Sequence, residues 1–178
     1  MAVDEENDVI ISRISPHDTL RFFWHVDGLV AGSARPGRYG DLRAELGLLK
    51  EKGIGLIVNL CEDPLSFPEE FSGCFEELHE PVLDGHPPEP EQLLRIIERV
   101  ERGAAQGQPC LIHCRGGVGR TATVLIPVMM VLEGLSLDEA VQRLRQAGRY
   151  TQTMQQWEFL QEWARQKASR SEGHGDQA

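Results

Sequence analysis

Short apolar runs alternate along this chain with segments whose apolar residues recur every three or four positions. LRFFWHVDGLVAG (20–32) mixes aromatic and β-branched residues and predicts a pair of entry strands. YGDLRAELGLLKEKG (39–53) sets Leu42, Leu46 and Leu49 on one helical face and closes on a glycine. GIGLIVNL (53–60) and PCLIHC (109–114) are brief apolar runs bounded by turn residues, the pattern of strands buried on both faces. FEELHEPVL (75–83) carries a weaker strand pattern.

PPEPEQLLRIIERVERG (87–103) opens on prolines and spaces Leu94, Ile97 and Val100 as a helix does. From Arg120, TATVLIPVMMVLEG is apolar on nearly every face and predicts a central buried helix, with Pro127 expected to kink it or delete a backbone bond. Ser136 and Glu139 form a capping box ahead of SLDEAVQRLRQAG. QQWEFLQEWARQKA (155–168) predicts an amphipathic closing helix. Strands alternating with helices imply an α/β fold, a central mostly parallel sheet flanked by helices. Residues 1–9 form an acidic, polar tail and 169–178 a second polar tail, leaving 10–168 as one domain.

Composition narrows the function classes. Forty per cent hydrophobic residues suffice for a core without staples. A formal net charge of −10 argues against nucleic acid or an anionic membrane as the general partner. No apolar window reaches the roughly 18 residues of a span, and MAVDEENDV lacks the basic and apolar regions of a signal peptide. The four cysteines (61, 74, 110, 114) have no disulfide-framework spacing, so a reducing, cytoplasmic setting is expected.

The chemistry concentrates in CLIHCRGGVGRT (110–121). A strand, a glycine-rich turn and a helix start make an anion cradle, because backbone N–H groups converge where the helix dipole is positive. The nucleotide-binding loop would need glycine at 114 and lysine at 120, whereas this chain has Cys114 and Arg120. A thiol at such a mouth, beside Arg115 and Arg120, is expected to be a thiolate at neutral pH and hence a nucleophile. Arg120 offers a planar fork for two phosphate oxygens. Thr121 places a hydroxyl near the sulfur. Gly116, Gly117, Val118 and Gly119 supply backbone that a ligand can approach closely.

HCRGGVGRT resembles the signature of the cysteine-dependent protein tyrosine phosphatase superfamily. Together with PVLDGHPPEPEQ, FFWHVDGLVAGSARPG and GIGLIVNLCE it resembles the small atypical dual-specificity phosphatases, across roughly Phe22 to Trp163. That resemblance implies a cysteine-dependent phosphatase acting on phosphomonoesters without cofactor or metal. Cys114 would attack phosphorus, and Asp84 would protonate the leaving oxygen and later act as base for water. The loop from Arg115 to Arg120 would bind the phosphoryl oxygens. His113 would hydrogen-bond loop backbone. A glutamine before the final helix would place the hydrolytic water, with Gln156 the better match and Gln155 beside it. Cys61 matches a cysteine that, in the tumour-suppressor lipid phosphatase of the superfamily, can bond the nucleophile.

Ala122 departs from the family's usual glycine and Pro127 is unusual there, but neither touches the phosphate-binding atoms. Cys110, His113 and Cys114 do not make a metal cluster if strand alternation sends His113 to the opposite side. Arg143, Arg145 and Arg149 are read as solvated helix charges, with a pocket rim as the alternative. Phosphotyrosine is the preferred substrate, then phosphoserine or phosphothreonine. A phosphoinositide or inositol polyphosphate phosphatase and a non-catalytic phosphate-binding module are the alternatives.

Overall fold

A computed structural model describes residues 15–172. The acidic stretch 1–9 lies outside them. A five-residue helix, α1 (Pro16–Leu20), leads into β1 (Phe23–Val26) and β2 (Val30–Ser33), the two entry strands. Helix α2 (Leu42–Glu51), β3 (Leu56–Asn59), β4 (Glu76–His79), α3 (Pro90–Ala105), β5 (Cys110–His113) and α4 (Gly119–Glu133) follow. Helices α5 (Leu137–Gln146) and α6 (Met154–Glu172) complete the fold.

The five strands lie in the order β1-β2-β5-β3-β4, parallel except for the β1–β2 edge pair. The strand that feeds the glycine loop is therefore central. Its His113 is in register with Ser33 on one side and Asn59 on the other. Loops leaving the carboxyl ends of these parallel strands gather at one edge, where α/β sheets place their ligands.

Side-chain alternation divides the core between the two sheet faces. Leu56, Val58, Cys110, Ile112 and Cys114 pack with α3, α4 and α6, whereas Ile57 and Leu111 pack with Leu46 and Leu49 of α2. Local chemistry ends the helices where expected. Ser136 Oγ accepts from Glu139 N while Glu139 Oε2 accepts from Ser136 N, closing the capping box. Helix α2 stops before Gly53 and α4 before Gly134, both in the left-handed region that glycine tolerates.

Helix α4 continues through Pro127 without a break. Proline removes the donor that would reach the Thr123 carbonyl, and the burial of every residue from Gly119 to Met130 holds the helix together regardless. At the other end of the chain, α6 runs to Glu172, so residues 169–172 extend the helix beyond its expected limit.

Candidate active site

Strand β5 ends at His113, and the chain turns through residues 114–118 before α4 begins at Gly119. Gly117 makes the turn at φ +72°, and a Cβ there would stand 2.5 Å from Ser33 O and 2.6 Å from Ala34 N. Both the dihedral and the neighbouring backbone exclude a side chain, so glycine is required at this position. Ala122 N donates to Val118 O at 3.0 Å, closing the first helical turn. The amides of residues 118–121 precede that bond, and helix geometry leaves them without intrahelical acceptors. They form the positive end of a 15-residue helix.

Cys114 is buried at the base of this turn, and the Thr121 hydroxyl donates to its Sγ at 3.1 Å. The His113 Nδ1 lies 3.3 Å from Cys114 O, so its ring meets loop backbone. Burial pushes this imidazole down to about 3, as it does His25 in β1, where Arg149 and Arg143 add to the effect. Both rings are therefore neutral in the fold. The unfolded chain binds their protons below about pH 6.5, so this contribution is complete above that pH and is lost on acidification. Between about pH 6.5 and 4.5 stability should fall by about 1.4 kcal/mol per pH unit for each ring. Urea unfolding across that window measures the slope, and His113→Asn should roughly halve it, leaving the part due to His25.

Arg120 is 2% exposed. Its Nη1 donates to Val82 O (2.9 Å), Leu60 O (3.3 Å) and Glu62 Oε1 (3.3 Å). Its Nε lies 3.4 Å from Asp84 Oδ1, without the alignment of a hydrogen bond. The guanidinium thus joins three loops: the one after β3, the one carrying Asp84 and its own. Asp84 is open, with 78% of its side chain exposed. Gly85 follows at φ +76°, and His86 N closes the turn on Leu83 O at 3.0 Å. Glu62 joins the site without having been expected there. Its carboxyl is held below the usual range by a backbone hydrogen bond and by Arg120.

The glutamines sort themselves by geometry. Gln156 is fully buried. Its Oε1 accepts from Gln152 N (2.8 Å) and its Nε2 donates to His86 O (3.3 Å), so its amide bridges the start of α6 to the Asp84 turn. Thr153 Oγ1 adds a tie to the same turn by donating to Gly85 O at 2.7 Å. Gln155 is exposed and lines a surface cavity with Leu83 and His86, away from the glycine loop. The amide that reaches the glycine loop is that of Gln152, whose Oε1 occupies the space a Cβ of Gly119 would need. Gln152 stands two residues ahead of α6, and nothing in its local sequence signals this contact.

The arginines correct another expectation. Arg143 pairs with Glu133 and donates to His25 O at 3.3 Å. Arg149 is neither a rim nor a solvated charge. It is 3% exposed and donates from Nη2 to Arg21 O at 2.5 Å and from Nη1 to Ala147 O at 3.4 Å. Burial pulls its guanidinium down to about 10. Cys61 is buried two residues past β3, close enough to feel Arg35, Arg120 and Cys114, and burial raises its thiol. Cys110 shares the α4 face of the sheet with Cys114, as strand alternation requires. No helix among the described residues is long and apolar enough to cross a membrane.

A parallel-centred sheet that delivers a cysteine into a helix-capped glycine loop, with an aspartate turn alongside, has the architecture of the dual-specificity phosphatases. The family model described as "Tc-R-P: Polymorphic toxin system, DSP-PTPase phosphatase" matches residues 31–134, and the chain belongs to that DSP-PTPase phosphatase family. It is 31% identical over 123 residues to dual specificity protein phosphatase 12 of Mus musculus, covering 65% of this chain and 35% of that protein. Against cyclin-dependent kinase inhibitor 3 of Homo sapiens the figures are 30% over 88 residues, 48% of this chain and 42% of that protein. The chain thus spans only about a third to two fifths of the length of these curated relatives. The crystal structure of Tk-PTP in its active form is similar with a TM-score of 0.67 and 34% identity, covering 79% of this chain and 97% of that one. A mouse dual-specificity phosphatase structure complexed with zinc tungstate has a TM-score of 0.72 at 23% identity, covering 85% of this chain and 91% of that one, a likeness of fold.

Proposed function

We propose that the chain is a cysteine-dependent phosphatase that hydrolyses phosphomonoesters, phosphotyrosine first among them, in two steps. The observation that carries this reading is the single cluster of a buried Cys114, the Thr121 hydroxyl on its sulfur, the start of the 15-residue helix and Arg120 beside the Asp84 carboxylate.

The substrate phosphoryl group sits over Cys114 and receives hydrogen bonds from the loop amides of residues 115–120 and from Arg120. Cys114 attacks as thiolate, forming an S–P bond while the P–O bond to the alcohol or phenol breaks and Asp84 supplies the leaving oxygen's proton. The loop donors are fixed before the reaction, so charge moving onto the equatorial oxygens needs no solvent reorganisation. Water then attacks phosphorus, Asp84 accepts its proton and the sulfur leaves, assisted by the Thr121 hydroxyl. His113 supports the loop through the Cys114 carbonyl. Turnover of para-nitrophenyl phosphate with EDTA present tests the reading, and phosphate binding without turnover would make the chain a binding module instead.

Water placement is assigned to Gln152, with Gln156 holding the Asp84 turn. Gln152→Ala should leave the initial burst of phenol intact and slow the steady state about tenfold, since removing a positioning hydrogen bond costs about 1–1.5 kcal/mol. Gln156→Ala should instead lower stability. Equal burst and steady-state losses in Gln152→Ala would contradict this division.

Cys61 is assigned the protection of the nucleophile. Hydrogen peroxide oxidises the Cys114 thiolate to a sulfenic acid, releasing hydroxide. The Cys61 thiol then attacks the sulfenic sulfur, and the S–S bond forms as the S–O bond breaks and water leaves. Peptide mapping after mild peroxide should find a 61–114 link that dithiothreitol reverses, and a sulfinic Cys114 with free Cys61 would end the idea.

A further inference from the structure

The turn after β2 brings a basic and aromatic ledge against the same glycine loop. Tyr39, 43% exposed, has its hydroxyl 3.8 Å from where a Cβ of Gly116 would stand. The Arg21 guanidinium lies 4.6 Å from the Tyr39 ring centroid and that of Arg38 lies 5.6 Å away. Arg21 Nη1 also donates to Gly116 O at 3.4 Å, which ties the ledge to the loop itself. Among the described residues no carboxylate comes within ion-pair distance of Arg21, Arg38 or Arg115. The ledge arginines Arg21 and Arg38 thus keep their charge without a neighbouring carboxylate, in a chain of net charge −10.

The ledge is held in place from behind. Arg21 has φ +55°, the one positive φ outside glycine among the described residues. Such a conformation persists when the surroundings over-determine it. Here the buried Arg149 grips the Arg21 carbonyl at 2.5 Å, and the buried Glu45 carboxylate accepts from Thr19 Oγ1 and Gly37 N, both at 2.6 Å. Two buried charged side chains thus fix the backbone on either side of an exposed Arg–Tyr–Arg group. Tyrosine is a suitable holder, because its ring attracts both guanidiniums without neutralising them.

We propose that this ledge is a second anion subsite, which selects phosphopeptides bearing an acidic residue next to the phosphorylated one. The inference rests on the phosphatase reading above and names the substrate class for that site. A peptide fits because Arg21, Arg38 and Tyr39 are exposed beside the glycine loop, where a chain continuing past the phosphate would meet them. The chain's net charge of −10 opposes approach to an extended anionic lipid surface more than it opposes a short acidic peptide that meets only the ledge.

The test compares kcat/KM for two phosphotyrosine peptides, identical except for two aspartates or two alanines beside the phosphotyrosine, with para-nitrophenyl phosphate as reference. The acidic peptide should be favoured on the order of fivefold at low salt, the scale of partly exposed ion pairs, and the preference should shrink with added salt. Arg38→Ala should bring the ratio toward one, and Arg38→Glu should invert it. A chain that turns over para-nitrophenyl phosphate yet treats both peptides alike overturns the subsite and leaves the phosphatase reading standing. A chain that turns over nothing overturns the phosphatase reading. Inositol polyphosphates hydrolysed in preference to both peptides would overturn the assignment to peptides.

Discussion

Cys114→Ser is expected to abolish turnover of para-nitrophenyl phosphate, with a loss of at least about 10⁴-fold, while leaving phosphate bound. The replacement differs by one atom, and Thr121 Oγ1 can still donate to the smaller oxygen. What changes is ionisation. An alcohol holds its proton far above neutral pH, whereas an ordinary thiol gives its proton up at about pH 8.5. A neutral hydroxyl is a poor nucleophile toward a dianionic phosphoester. The Thr121 hydroxyl that meets the side chain of residue 114 is itself a donor there and takes no proton from it. In the proposed mechanism the binding groups are separate from the nucleophile: they are loop amides and the Arg120 fork, which is anchored to Val82, Leu60 and Glu62. The affinity of inorganic phosphate, read by titration calorimetry, should therefore change by no more than a few-fold. Retained turnover in Cys114→Ser would overturn the mechanism, and loss of phosphate affinity would show that the loop had collapsed rather than lost its nucleophile.

The parts of this site that are legible in the sequence are those that one stretch of chain carries. Cys114, the glycines, Arg120 and Thr121 lie within eight residues, where a strand, a turn and a helix start leave little freedom for their relative placement. The fold is legible for the same local reasons: buried strands read as unbroken apolar runs, and helices as spaced ones with caps. Contacts between distant segments are not legible. Arg149 looks like any charge at a helix end, and only the fold brings the Arg21 carbonyl, 128 positions earlier, onto its guanidinium. Gln152 and Gln156 are one helical turn apart and chemically identical. Their different contacts depend on which one stands just ahead of α6 and which one packs against the Asp84 turn. Glu62 gives no local signal because its partner, Arg120, lies 58 positions on.

That second carboxylate sharpens the other large prediction. Asp84→Asn should lower kcat by about 10²–10⁴-fold on substrates with basic leaving groups, equivalent to about 3–5 kcal/mol at the barrier. The size should depend on the leaving group. An alkyl or phenyl phosphate needs a proton as its P–O bond breaks, while para-nitrophenolate departs nearly unaided and should show a much smaller loss. Asparagine keeps the shape of the turn, whose carbonyls at Val82, Gly85 and His86 are held by Arg120, Thr153 and Gln156. A fall in rate then reports the lost proton rather than a displaced loop. Glu62→Gln is the matching control, since Glu62 also faces Arg120, at 3.3 Å from Nη1. Its carboxyl is held low by its hydrogen bonds and so makes a poor proton donor. Glu62→Gln should show no dependence on the leaving group. If the dependence appeared there and not in Asp84→Asn, the acid would be Glu62, and the Asp84 turn would serve only to cover the site.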